Sequence, residues 1–486
     1  MQTTFVEGLK KKNKNTKPIN MKKLNTLFIA FAVLATFACK KKDDTTTPPA
    51  DNTGAVELSG DLTTQSLDAS RKYLLKGQVF VRTGQTLTIP AGTIIMGDKA
   101  TKAALIIDRG GKINAVGTAT SPIIFTSAQA VGARDEGDWS GVILLGNAKV
   151  NASSPTIEGI TPAVTFGGTD DADNSGVMKY CRIEFAGIAL TPNNETNSLT
   201  FGGVGNGTTI EYIQSSFGGD DAFEWFGGSV NCKHLVSYAD WDDNFDTDNG
   251  FSGKVQFGIA IRDPFQADQS GSNGFESDND ANGSANLPQT SAVFSNITIV
   301  GPKSDSAVAI SGNYNQAAHI RRNSAISIFN SFLVGYNKGL LIDAQTTYNN
   351  FTANTGKLGY NIMASALNGT AAPAFYGVAG TGITFTATDV QTLFEASGSK
   401  YTIATSPSKV ANWSPVGLSE AIFVAENTSG YPANPNLAVT SGPAASGANF
   451  TDAKLSGFEN VTFRGAIGTS DWTDGWANFD PKNVVY

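Results

Sequence analysis

Asp220-Asp221-Ala222-Phe223-Glu224-Trp225-Phe226-Gly227-Gly228 is followed, 22 residues later, by Asp242-Asp243-Asn244-Phe245-Asp246-Thr247-Asp248-Asn249-Gly250. A period in the low twenties, carrying short strands separated by turns, is the requirement of a right-handed parallel β-helix, in which each coil stacks equivalent side chains on the next. Read as extended chain, Asp220 and Glu224 share one face, and Asp242 and Asp246 then sit one coil above them. Phe223 and Phe245 have the opposite parity and point to the core. The same arithmetic that builds the core therefore stacks carboxylates on one another.

Working outward, the pattern continues. Gln78 to Val81, Thr86 to Ile89, Thr93 to Met96, Ala104 to Ile107 and Ile123 to Thr126 are short β-branched runs bounded by Gly, Asn and Asp, with no long helical period between them. Phe294 to Gly301 matches Phe458 to Gly465, and Phe329 to Gly335 is a shorter version. The expectation is an all-β chain whose β-helix spans 56–343. Residues 344–486 then form an irregular elaboration with one short helix starting near Asp389, a last coil around Phe458 to Gly465, and a cap. Trp472, Trp476, Phe479 and Tyr486 are expected to close the open end, because an uncapped solenoid exposes edges and core.

Before the fold, the chain carries address information. Lys22 and Lys23 precede the apolar run Leu27 to Ala38, and Cys39 follows, trailed by Lys40-Lys41-Lys42-Asp43-Asp44. This is a signal peptide over 21–38 with a candidate lipidation site at Cys39. Residues 39–55 form a Thr/Pro/Asp/Asn tether, and 1–20 an over-long start ahead of an initiator at Met21. The segment resembles a bacterial lipoprotein signal, and Lys42-Asp43-Asp44 resembles the export tag that Bacteroidota place on surface lipoproteins. That implies a lipid-anchored outer-membrane protein facing outward; ordinary cleavage to a periplasmic protein is the alternative. Thr36 and Phe37 depart from the usual lipobox.

The formal net charge is −8, and it becomes −14 once residues 1–38, with seven lysines and Glu7, are removed. Such a chain is repelled by nucleic acid and by anionic lipid, so the lipid is the expected membrane contact. Cys181 and Cys232 remain for one bridge or two buried thiols.

Gly84 to Asp98 and Gly117 to Ser127 resemble the first coils of pectin-lyase-like β-helix proteins. As a whole the chain resembles uncharacterised Bacteroidota surface proteins in which Gly218 to Gly228 and Trp241 to Gly250 recur. The resemblance implies fold and supplies no activity.

The residues leave two classes of function open. Stacked like charges must bind a cation, share protons or meet a basic group. As a module, the chain would hold calcium in acidic turns: Asp278-Asn279-Asp280-Ala281-Asn282-Gly283 has alternating oxygen donors, and Asp171 with Asp173 forms a weaker version. Trp225 and Trp241, flanking the acids, are the candidate sugar platforms. As a lyase or hydrolase acting on acidic polysaccharide, the chain would use Asp220, Asp221, Asp242, Asp243 and Asp246, with Arg321 and Arg322 as the nearby basic groups. The polygalacturonase GHG motif is missing, and His234 and His319 are the only histidines.

Overall fold

The computed structural model describes residues 54–190, 195–304, 308–365, 375–403, 437–439 and 441–486. The signal, Cys39 and most of the tether lie outside the described residues. No helix among the described residues is long and apolar enough to cross a membrane.

The strands stack as a right-handed parallel β-helix with three sheets, each strand pairing in parallel with its counterpart one coil away. The first sheet contains Leu199–Gly202, Phe223–Phe226, Phe245–Asp248, Phe275–Ser277, Gln316–Ile320 and Lys338–Asp343 in sequence order. The second and third sheets share long bent strands: Gly176–Glu184, Thr209–Ser216, Asn231–Tyr238, Lys254–Ile261 and Val293–Val300. The 22-residue repeat is in perfect register, with Phe223 beside Phe245 and Glu224 beside Asp246. Phe223 and Phe245 stack in the core at 6.0 Å, and Phe275 continues the column at 5.4 Å from Phe245.

The bend within each long strand is made by one residue in the left-handed region. Tyr180, Tyr212, His234 and Phe257 take φ of 50°, 56°, 59° and 62°, and Asn296 and Asn330 continue the column at 57° and 53°. A left-handed conformation costs an L-residue about 1–2 kcal/mol. Here the cost is offset by ring stacking: Tyr212 lies 4.3 Å from Tyr180 and 4.1 Å from His234, both nearly parallel. Asn is the other residue type that tolerates this region, which explains the later half of the column.

The coils do not end at 343. Lys357–Gly359, Ile362–Ser365, Tyr376–Ala379 and Lys400–Ile403 pair in parallel on earlier strands, so the β-helix runs into the region read as irregular. The helix expected near Asp389 spans Ala387–Glu395, and it starts earlier because Thr386 caps it and Asp389 closes a capping box. A second helix, Gln345–Thr352, carries no sequence cap and was not legible.

Phe458 to Gly465 is not a coil. The last fifty residues turn back and run along the bend column toward the first coils. They are held by side-chain amides acting as surrogate peptide groups. Asn330 exchanges two hydrogen bonds with the backbone of Asn449. Gln256 does the same with Glu459, and Gln214 with Asn478. At the far end, the Tyr486 hydroxyl meets the buried Glu184 carboxylate at 2.6 Å. Trp472, Trp476 and Phe479 consequently pack along the side of the solenoid, not across its open end. The backbone groups of the returning segment need partners, and the side-chain amides of this corner supply them. Cys181 and Cys232 are both free and buried in the core.

Candidate acidic site on the first sheet

The outward positions of the first sheet form one column. Thr200, Glu224, Asp246, Glu276 and His319 occupy successive coils in direct register. The turn entering each strand adds Asp220 and Asp221 on one coil and Asp242 and Asp243 on the next. Two carboxylate triads result, Asp220–Asp221–Asp242 and Asp221–Glu224–Asp246, and within each the ligand oxygens lie within 4.8 Å of one another. Asp221 belongs to both.

Several bonds position these acids. The Asp243 N–H donates to Asp221 at 2.7 Å, the Ser270 hydroxyl to Asp242 at 2.6 Å, and the Asn197 amide to Glu224. Behind them, the fully buried Arg262 donates to the Asp240 carbonyl at 2.8 Å and to the Tyr336 hydroxyl at 3.1 Å. Asp240 receives the Ser215 and Ser237 hydroxyls and the Gly218 N–H, each at 2.7 Å. This polar scaffold fixes the turns that carry both acidic pairs.

The acids themselves lack countercharge. Among the described residues, no lysine or arginine forms an ion pair with Asp220, Asp221, Glu224, Asp242, Asp243 or Asp246. One oxygen each of Asp242 and Asp246 is buried without a hydrogen-bond partner. Burial first, and then neighbouring carboxylates, push Asp220, Asp221, Glu224 and Asp246 well above the usual carboxylate range. Asp243 is pushed up to about 8 by burial and by Asp242, although Arg262 opposes the shift. A set of oxygens in this state holds protons or a hard cation.

The upper end of the column is different. Arg321 pairs with Glu276 and, at 2.8 Å, with Asp278; Arg322 reaches the other Asp278 oxygen at 2.7 Å. His319 lies 3.7 Å from Glu276 and 3.5 Å from Asp343, with burial and Arg321 lowering its pKa to about 4. The basic residues are thus brought to the acids, as read from the sequence, but are already consumed by them.

The calcium loops expected from the sequence are not assembled as cation cages. Asp278 is neutralised by the two arginines. The Asp280 carboxylate caps its own turn, accepting the Asn282 N–H at 2.9 Å and the Ser284 N–H at 3.1 Å, while the Asn282 side chain takes no part in these bonds. Asp171 pairs with Lys149, and Asp173 accepts from Asn147 at 2.9 Å. An alternating acidic turn satisfied by its own N–H groups is an Asx turn.

Trp225 cannot present a sugar platform, because it is fully buried between Phe201 at 5.4 Å and Phe251 at 5.3 Å. Trp241 is half-buried beside Asp242, with no hydrogen-bond partner for its ring nitrogen. Glu276 and Asn197 were missed in the sequence. Glu276 lies beyond the 22-residue period because a longer turn precedes it, but Phe275 before it repeats the Phe-acid pair and could have marked it.

Comparisons with curated proteins and with solved structures give no match. Residues 60–415 match the sequence model described as a pectate-lyase like beta helix domain, covering most of the chain, and in agreement with its coils this protein belongs to that family.

Proposed function

We propose that this protein is a calcium-dependent carbohydrate-binding β-helix module, tethered outside the cell through Cys39, whose acidic first sheet takes up uronate-bearing polysaccharide through bound cations. The observation that carries the reading is the pair of carboxylate triads sharing Asp221 without a basic partner. Calcium takes six to eight oxygens, so the protein oxygens leave coordination positions for a ligand. A cation also resolves the electrostatic problem of a net acidic protein meeting an acidic polymer, since it is attracted to both. The export signal, the tether and the family support an extracellular, carbohydrate-related role.

A lyase needs a base for the proton beside the uronate carboxyl. Arg321 is engaged by Glu276 and Asp278, and these carboxylates more than offset its burial, so its pKa is raised. That makes it a poor base and favours binding over elimination. The crowding of these carboxyls, with pKa values raised by burial and by one another, does keep hydrolysis as a second reading.

The test is thermal unfolding with calcium and with chelator, followed by titration of uronic polysaccharides. Binding that requires calcium and leaves the polymer intact supports the module. Calcium-independent binding, or no calcium response at all, overturns it. Appearance of unsaturated uronate products or of reducing ends would replace binding by lyase or hydrolase activity.

A further inference from the structure

Among the described residues, Phe265 is the one aromatic side chain left exposed, with 51% of its surface accessible. It sits on the loop from Arg262 to Gly274, the insertion that lengthens this coil beyond the 22-residue repeat. A lone apolar residue on a slack loop is ordinary. This loop is fastened on both sides of the ring. The Ser311 N–H donates to the Pro264 carbonyl at 2.8 Å, the buried Tyr314 hydroxyl meets the Asp263 and Gln266 carbonyls, and the Phe265 N–H donates to the Asp263 carboxylate at 2.7 Å. At the base of the loop, Arg262 donates to the Asp240 and Asn273 carbonyls. The far limb is joined to the acidic site: the Asp268 N–H donates to the Trp241 carbonyl at 3.3 Å, and the Ser270 hydroxyl to Asp242. Burial first, and then neighbouring charges that include Asp268, raise the pKa values of Asp220 and Asp242. Phe265 lies three residues from Asp268, at most about 11 Å of extended chain.

We infer that Phe265 is a stacking platform for one sugar ring of an acidic polysaccharide, and this rests on the cation-mediated binding proposed for the first sheet. A pyranose presents an apolar face of C–H groups, and an exposed aromatic ring is its complement. The cation holds the carboxylate of one sugar unit, while a ring fixed at this range sets the orientation of a neighbouring unit. Together they select a polymer over a free uronate. Because the loop is anchored before the ligand arrives, stacking costs little further ordering of the chain. Neither tryptophan beside the acids offers this surface, since Trp225 is buried in the core and the Trp241 ring nitrogen is enclosed. A second copy of this chain is the other occupant for an exposed ring, and repulsion between two acidic faces opposes it.

The experiment is titration of the full folded chain, in saturating calcium, with galacturonate, mannuronate and glucuronate oligomers, read by calorimetry. At least one oligomer is expected to bind the parent chain, with affinity about tenfold or more weaker in Phe265→Ala and retained in Phe265→Tyr. The calcium-induced rise in unfolding temperature is expected to be equal in all three chains, which separates loss of the platform from loss of the cation site or of the fold. Oligomer affinity unchanged in Phe265→Ala, or equal losses in both variants, overturns the platform and leaves the cation reading standing. No oligomer binding by the parent chain in calcium overturns the cation reading and the platform with it. Self-association of the parent chain in sedimentation, absent in Phe265→Ala, would assign the ring to a contact between copies and overturn the platform.

Discussion

The outer column of the first sheet and the bend column at the opposite corner are made by the same device, one residue per coil in vertical register. One carries Glu224, Asp246 and Glu276, while the other carries Tyr180, Tyr212, His234, Phe257, Asn296 and Asn330. Rings stack on rings, and amides pair with backbone, so the second column is complete within the chain. Carboxylates repel their own copies, so the first column needs something from outside. A solenoid repeats whatever chemistry its period carries; whether the repeat stabilises the fold or creates a binding demand depends on whether the group complements itself.

Removing the ring by which the C-terminal segment docks on the self-complementary column is expected to have the largest effect. Trp476 is 1% exposed, meets Tyr180 and Tyr212 edge-on at 5.9 and 6.0 Å, and donates its ring N–H to the Trp472 carbonyl at 2.8 Å. Trp476→Ala is expected to lose about 3–5 kcal/mol in urea unfolding. A loss below about 1 kcal/mol would mean that the C-terminal segment is not docked as described.

Removing a charge from the other column has the opposite sign. The acids have folded-state pKa values raised above their unfolded values. Their favourable contribution is therefore complete below the unfolded carboxylate pKa of about 4 and is lost as pH rises through the folded values. Asp248, raised to about 6 mainly by burial, and Asp243, at about 8, mark the window. In chelator, stability should fall from pH 5 to pH 8. Asp221→Asn, which keeps the oxygen that accepts the Asp243 N–H, should restore about 1–2 kcal/mol at pH 8 and little at pH 5. The same substitution should abolish stabilisation by calcium, which in the parent chain reaches about 2.7 kcal/mol at a hundredfold excess over Kd. Denaturant midpoints at the two pH values, with and without calcium, give all four terms.

A smaller effect separates amide pairing from simple coverage. Gln256 exchanges two hydrogen bonds with Glu459 and is 2% exposed. Gln256→Ala is expected to cost about 1–2 kcal/mol. Gln256→Glu should cost more, because one of its two bonds becomes an acceptor facing the Glu459 carbonyl. Equal costs for the two would show that the amide acts only as filler.

The coil period was legible because Phe-acid pairs recur at a fixed offset, and a two-residue side-chain period leaves no freedom once Phe223 and Phe245 point inward. The stacking of Glu224 on Asp246 followed from that register; the place of Asp221 in both triads did not, because its parity is that of the inward Phe223. The path of the C-terminal segment was not legible, since Phe458 to Gly465 copies a coil in composition and only its long-range amide partners, Gln256 and Asn296, distinguish a strap from a strand. The address of the sugar-facing tryptophan failed for a related reason. Trp225 and Trp241 flank the acids in sequence, but the inward parity of Trp225 was already fixed by Phe223.

The smallest effect tests the distinction between an acidic motif and an acidic site. Asp278 to Gly283 has the spacing of a calcium loop, whereas Asp221 sits in no such motif. In the folded chain one Asp280 oxygen accepts the Asn282 and Ser284 N–H groups and the other accepts the Ser284 hydroxyl, and these bonds hold its pKa below the usual range despite some burial. An aspartate lowered in this way is a satisfied cap, while the acids around Asp221 are raised first by burial and then by one another, with no basic group paired to them. Asp280→Asn should therefore cost only about 0.5–1 kcal/mol from the turn and leave the calcium-induced rise in unfolding temperature unchanged. If the calcium response disappears in Asp280→Asn and persists in Asp221→Asn, the cation belongs to the loop, and the unmet charge of the first sheet must be held by protons alone.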